Sequence, residues 1–489
     1  MSNNLTRVAF ATGILIVAIV AARVGSMTPV ALLALPIIAG VVAVVLATRR
    51  WPRALATIAV FALLIAGTKF RMRDPMASVL GEFDWQVILE LALFALVGVV
   101  ILGMVPLAEW RIQALVPGEV MLSAYAALAL CSAAWSFTPE LTIVRAVQLL
   151  ILLAFALVVP RVLGPRRTMH AVGSALLAYC AASAVLAKFF MFAKGTQVDY
   201  SGFHRFTWFA VHPIDAATLV AIAIIFLLAG LLIAPKPWRL TMLGLPSWLY
   251  LLPLVAVLVV THSRGPLFAL VASAGLLFLR RRVGMSGFTA MVSIVLSIVI
   301  IVVSSVRSTR SFIDQRSGGL VDRVVLRGQN ADEFASLSGR SALWTEAAGL
   351  FKESPVLGVG YQGSRPYLLE VANWAAYAHD ALLQTLVDLG IVGALLLWIP
   401  LIRTVFVGSL TDPAIDPEVL WQRGLTFGLA VFVLVNSFSN ESFAAAPGFQ
   451  TLVPLLCVTV GAQIARRARV PRSVLSPAWY ASALQGARS

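Results

Sequence analysis

Charge is scarce in this chain. Asp, Glu, Lys and Arg together make up 12% of its 489 residues, while 60% are hydrophobic. A soluble protein of this size needs far more charge to cover its surface. Acidic residues are rarer still, 22 against 37 Lys and Arg, which leaves a net charge of +15. Cysteine is nearly absent. Cys131, Cys180 and Cys457 each lie in an apolar run, at no metal-ligand spacing and in no disulfide framework. There is no His-x-x-x-His, no Asp-x-Asp and no Gly-rich phosphate loop. These absences argue against a metal-dependent sugar-nucleotide transferase and against an ATP-driven machine. No cofactor is expected. No soluble basic domain is present to bind nucleic acid, so none is expected as a partner.

What the chain has in quantity is long apolar runs. They recur from end to end at roughly 20 residues, the length that spans a bilayer as helix. The expected fold is all-α, a polytopic integral membrane protein with about 12–14 transmembrane helices. Helices are predicted near 6–24, 28–47, 53–68, 85–105, 118–134, 140–159, 168–190, 212–234, 247–261, 265–280, 285–305, 379–403, 419–437 and 447–465. The first run lacks a good small-residue cleavage site and reads as a retained helix. Four regions follow. Residues 1–190 form N-terminal transmembrane helices, and 191–305 form central helices with arginine-bearing joints. Residues 306–378 form a large outer loop, and 379–489 form C-terminal helices and a basic tail.

With simple alternation, most basic joints fall on one side. They include Arg49, Arg50 and Arg53; Arg161, Arg166 and Arg167; Lys236 and Arg239; Arg280, Arg281 and Arg282; Arg403 and Arg423; and Arg466, Arg467, Arg469 and Arg472. Cytoplasmic loops are rich in Lys and Arg, so that side reads as cytoplasmic, with both termini there. Lys69, Arg71 and Arg73 break the pattern.

The candidate chemistry lies on the opposite side. Arg264 sits in Thr261-His262-Ser263-Arg264-Gly265, a very tight joint between apolar helices. A cation there can simply snorkel to headgroups. Four polar residues in so short a hairpin exceed that need, and a guanidinium fork matches phosphate oxygens. Arg205 lies in an aromatic loop, Ser201 to Trp208, ahead of His212-Pro213, and Arg340 opens Ser338-Gly339-Arg340-Ser341. The bland alternatives are an interfacial anchor loop and a solvated arginine. His379 is followed by Asp380, Gln384 and Asp388, which puts polar side chains on one face of a helix entering the membrane. Histidine titrates near neutral pH and can take a proton from a sugar hydroxyl, while Asp380 reads equally as a helix cap. Asn436, Ser437, Ser439, Asn440 and Glu441 line the last outer joint, as a polar turn or as a cavity wall.

Taken in order, Gly339-Arg340-x-x-x-Trp344, then Glu353-Ser354-Pro355-x-x-Gly358-x-Gly360-Tyr361, then Ala378-His379-Asp380-x-x-Leu383-Gln384-x-x-x-Asp388-x-Gly390 resembles the bacterial O-antigen ligase and Wzy-type polysaccharide polymerase superfamily. The hairpin at Arg264 and the loop at Arg205 match its arginine-bearing positions. The resemblance spans roughly residues 200–440. It implies a glycosyltransferase of the GT-C type with its active site on the periplasmic face of the bacterial inner membrane. The implied reaction moves a glycan from undecaprenyl diphosphate to an acceptor hydroxyl, without metal and with inversion. By the same resemblance Arg205, Arg264 and Arg340 bind the diphosphate, and His379 with Asp380 activates or positions the acceptor. Tyr361, Gln384, Asn440 and Glu441 are expected to line the acceptor cavity. The family often has Asn where this chain has Asp380, which favours a His–Asp pair. Implied partners are the bilayer, an acceptor glycan or lipid A–core, and polysaccharide export or chain-length proteins. Within the family a polymerase is favoured over a ligase; a transporter, with broken helices and midplane polar residues, is the reading from another class.

Overall fold

A computed structural model describes residues 30–68, 84–106, 115–189, 194–198, 204–208, 211–233, 247–282, 286–303, 340–372, 375–409 and 417–469. The first predicted helix, the cations Lys69, Arg71 and Arg73, the joint at Lys236 and Arg239, and Arg472 lie outside these residues. The described helices are α1 (Val30–Arg50), α2 (Pro52–Ala66), α3 (Trp85–Met104), α4 (Pro117–Cys131), α5 (Pro139–Phe189), α6 (Pro213–Leu232) and α7 (Leu251–Val260). They continue with α8 (Arg264–Arg282), α9 (Gly287–Val303), α10 (Arg340–Glu353), α11 (Arg365–Ala372), α12 (Ala381–Ser409), α13 (Pro417–Asn436) and α14 (Phe449–Arg469). Seven of them are long and apolar enough to cross a membrane: α3, α4 with the short turn that follows it, α5, α6, α12, α13 and α14. The chain is an all-α, multi-pass membrane protein.

Three features refine the expectation. The helices predicted at 140–159 and 168–190 follow each other with no loop between them: α5 is two helices joined at a kink at Gly164, whose backbone is non-helical with φ of +78°. The loop expected at 191–211 carries a two-stranded antiparallel ribbon, β1 (Lys194–Val198) and β2 (His204–Trp208), which pairs Gln197 with Arg205. Within the segment expected as a large outer loop, α10 and α11 are helical and share a small apolar core around Leu343, Ala347, Leu350, Leu368 and Val387.

The caps explain where the helices begin. Asp84 accepts from the backbone N–H of Gln86 at 2.8 Å and of Val87 at 3.1 Å, opening α3. His212 Nδ1 accepts from Ile214 N at 3.3 Å, with Pro213 in the first helical position, where the missing N–H costs nothing. Asp380 Oδ1 accepts from Leu383 N at 2.8 Å and opens α12.

Helix α12 is interrupted at Gly390, whose φ is +64°. The segment 355–360 threads its backbone into the break. Val359 N donates to Val387 O at 3.0 Å and Gly360 N to Asp388 O at 2.9 Å, while Ile391 N donates to Pro355 O at 2.9 Å. Carbonyls and amides freed inside an apolar helix are thus satisfied by another part of the chain. This explains the Pro-x-x-Gly-x-Gly spacing. A Cβ on Gly358 would lie 2.4 Å from the Asp388 carbonyl carbon, and one on Gly390 would lie 2.2 Å from that of Val356.

The basic joints meet at one end of the bundle. Glu119, fully buried, pairs with Arg161 at 2.8 Å and lies 3.8 Å from Arg466. Arg166 meets Glu418 at 3.2 Å, and Arg280 donates to Gly408 O at 2.8 Å. The joints carrying the candidate chemistry meet at the other end.

Candidate active site

The turn 436–446, between α13 and α14, is the hub of that end. Ala381 N, at the start of α12, donates to Ser437 O at 2.8 Å. Arg340 Nη1, at the start of α10, donates to Ser439 O at 2.9 Å. Helix α8 enters beside the same residue: a Cβ on Gly265 would lie 2.0 Å from Ser439 Oγ. Asn440 Nδ2 reaches Thr218 of α6 at 3.2 Å, and Ser442 Oγ donates to Asp215 at 2.7 Å. Segments far apart in sequence therefore close on one short turn.

Arg205 joins the assembly from the ribbon. Its Nε donates to Thr261 O at 3.1 Å and its Nη2 to Ser263 Oγ at 2.9 Å, which seats it against the residues just before Arg264. Arg205 is thus held by Thr261 and Ser263, and Arg340 by Ser439, while Arg264 follows Ser263 directly in the chain. Burial pushes the Arg340 guanidinium below its ordinary value, and the carboxylates of Glu441 and Asp380 pull it back up. His262 and His379 both hold left-handed backbone, with φ of +50° and +52°. Side chains other than glycine rarely adopt this conformation, and it clusters where the surrounding structure enforces it, often at functional sites.

His379 Nδ1 lies 2.9 Å from Glu441 Oε2. Burial pushes the Glu441 carboxyl up, but the His379 imidazole and Arg340 outweigh it and hold the group down at about 2. Glu441 is therefore an anion that only accepts, so the bridging proton belongs to Nδ1 of His379. The adjacent Ala378 is fastened on both sides, its N–H to Gln384 Oε1 at 2.8 Å and its carbonyl to Trp344 Nε1 at 2.9 Å.

The expected His379–Asp380 pair is thus replaced by His379–Glu441. The Asp380 carboxylate is used as the cap of α12. Burial raises it to about 6, against the pull of the backbone amides of Leu383 and Leu382 and of Arg340.

A cavity of about 480 Å³ opens beside His379. Its walls come from α2, α3, α5, α6 and α14, from residues 375–379, and from the turn bearing Asn440, Glu441 and Ser442. Of the expected lining residues, Asn440 and Glu441 face it, together with His379, while Tyr361 and Gln384 are not part of its wall. Tyr361 is drawn away because its N–H donates to Ser132 Oγ, its carbonyl accepts from Thr142, and its ring meets Tyr125 edge-on. Gln384 is consumed by Ala378, Ser364 and Asp388. Arg205, Arg264 and Arg340 are not among the lining side chains.

The cavity also holds residues that the sequence reading passed over. Arg145, in the apolar α5, pairs with Glu90 of α3, and both Arg145 and Gln148 donate to Glu90 Oε1. Arg365 opens α11, with its guanidinium carbon 4.9 Å from the centroid of the Tyr377 ring. The signal for Arg145 was present, since an arginine and a glutamate inside apolar helices are costly unless they face each other or a cavity.

Residues 248–398 match a family model described as O-antigen ligase. The chain is similar to that family. The matched stretch contains Arg264, Arg340, Tyr361, His379, Asp380 and Gln384; Arg205, Asn440 and Glu441 lie outside it. Comparison with curated proteins returns no match. The similarity supports an O-antigen ligase- or polymerase-type function, glycosyltransferase-like in its chemistry, with lipid-linked glycans as the class of substrate.

Proposed function

We propose that the protein is an inner-membrane glycosyltransferase of GT-C type that transfers a glycan from undecaprenyl diphosphate to an acceptor sugar hydroxyl, extending a polysaccharide. The observation that carries this reading is the His379–Glu441 pair at the wall of a cavity, with Arg340 bonded to the same turn as Glu441. The acceptor hydroxyl attacks the anomeric carbon from the face opposite the leaving group. Its proton passes to Nε2 of His379 as the carbon–oxygen bond to the diphosphate breaks, and the electron pair leaves on undecaprenyl diphosphate. Glu441, bonded at Nδ1, stabilises the imidazolium that forms. Arg205 is bonded to Thr261 and Ser263, beside Arg264 in the chain, and Arg340 to the turn at Ser439. The three arginines supply positive potential for the charge that develops on the departing diphosphate, where scarce water leaves that field little screened.

Transfer to lipid A–core is the second reading, because the ligase description of residues 248–398 favours it. Both are tested in liposomes containing the purified protein and an undecaprenyl-diphosphate glycan. Lengthening of the lipid-linked glycan supports the polymerase, and transfer to added lipid A–core without lengthening supports the ligase. His379→Ala should abolish either product. Undiminished product from a correctly inserted His379→Ala protein would sink the catalytic assignment.

A further inference from the structure

The acidic and basic side chains lining the cavity are Glu90, Arg145, His212, Asp215, Arg365, His379 and Glu441, beside the phenols of Tyr179 and Tyr377. Every carboxylate among them is engaged. Glu90 takes Arg145 and Gln148, Asp215 takes Ser442 and Gln450, and Glu441 takes His379. Asp388, near by, is held by Ser364 and Gln384. Arg365 is left over. It is 6% exposed, and its Nε and Nη1 are buried and meet no acceptor. Tyr377 supplies a ring face but no counter-charge.

A buried cation is costly unless an anion or several acceptors meet it. The rest of the wall offers the neutral groups of Gln86, Asn440, Ser442 and Gln450, suited to sugar hydroxyls. We infer that the cavity takes a glycan unit bearing an acid group, and that Arg365, flanked by Tyr377 and Arg145, is the ligand for that group. The inference rests on the glycosyltransferase reading and adds a substrate class to it: an acidic rather than a neutral sugar. A carboxylate matches the planar guanidinium fork, and the pairing is charge-assisted.

The test uses the purified full-length protein and two probes that differ only at C6, methyl glucoside and methyl glucuronide, with inorganic pyrophosphate as a third. Binding is read by saturation-transfer NMR and by thermal shift. The wild-type protein should bind the glucuronide about tenfold or more tighter than the glucoside, the range of one charged hydrogen-bonded contact. Arg365→Gln should bring that ratio near one, and Arg365→Lys, which keeps the charge but not the fork, should retain part of it. Equal binding of the two sugars by the wild-type protein overturns the inference, and that comparison needs no variant to fold. So does a preference that survives in Arg365→Gln. An Arg365-dependent gain seen with pyrophosphate alone also overturns it, because the anion would then be the donor's diphosphate. Failure of either sugar to bind removes the glycan reading itself, whereas equal binding removes only the acid subsite.

Discussion

Glu441→Gln is the most direct test of the proposed chemistry. The substitution keeps the length of the side chain and removes a negative charge 2.9 Å from His379 Nδ1. Two unit charges about 4 Å apart, at an effective dielectric of about 20, attract by about 4 kcal/mol, which bounds the effect from above. The two side chains are 17% and 15% exposed, so water screens part of it. About 2–3 kcal/mol of lost imidazolium stabilisation corresponds to a fall in kcat of about 30- to 200-fold. KM should change little, because the lost interaction is one that acts as the acceptor's proton moves to His379. The assay is single-turnover transfer from a lipid-linked donor in liposomes. Stability carries an independent signature. The Glu441 carboxyl is held at about 2, below its ordinary 4.5. Its contribution is therefore complete above pH 4.5 and is lost as pH falls through about 2. Glu441→Gln should unfold more easily than wild type at neutral pH, and the gap should close as the solution is acidified toward pH 2. A variant within threefold of wild-type kcat, alongside an inactive Asp380→Asn, would refute the pairing deduced from the structure.

Asp380→Asn should itself be well tolerated. Asn caps helices as well as Asp, and the carboxyl is raised from 3.8 to about 6, so its ionised form costs stability above pH 6 and nothing below 3.8. The variant should gain up to about 3 kcal/mol over wild type at pH 8 and nothing at pH 3.5, as read by thermal unfolding in detergent. Gly390→Ala places a Cβ 2.2 Å from the Val356 carbonyl carbon, against backbone that cannot yield. It should abolish transfer and lower the yield of folded protein, as judged by gel filtration. Gly265→Ala meets Ser439 Oγ at 2.0 Å and should loosen the contact between α8 and the turn, with transfer falling about tenfold or more. Adding Ser439→Gly removes the clashing side chain and should restore much of the activity, and a double-mutant cycle on transfer rate measures the coupling.

The family resemblance was legible because its residues are close together in sequence. Gly339 to Gly390 carries the arginine, the tryptophan, the glycine turn and the histidine within one stretch, and that stretch falls inside the matched region. Glu441 was read only as a member of a polar turn. Nothing local marks it as the partner of His379, 62 residues earlier.

Hydropathy alone determined the class and most helix positions. Lipid exposes each span to the same demand, an apolar surface with its backbone satisfied internally, so each span can be read without its neighbours. The clustering of Arg161, Arg280 and Arg466 toward one end was likewise written in the chain. Which carboxylate meets His379, why Tyr361 turns away from the cavity, and where Arg145 and Arg365 face were decided by tertiary structure. Those outcomes depend on which helix ends become neighbours. Here that was set by contacts across hundreds of residues, such as Thr142 with Tyr361 and Thr218 with Asn440. Residue spacing along a helix records one face of one element, whereas a hydrogen-bond partner on another element is chosen only when the bundle closes.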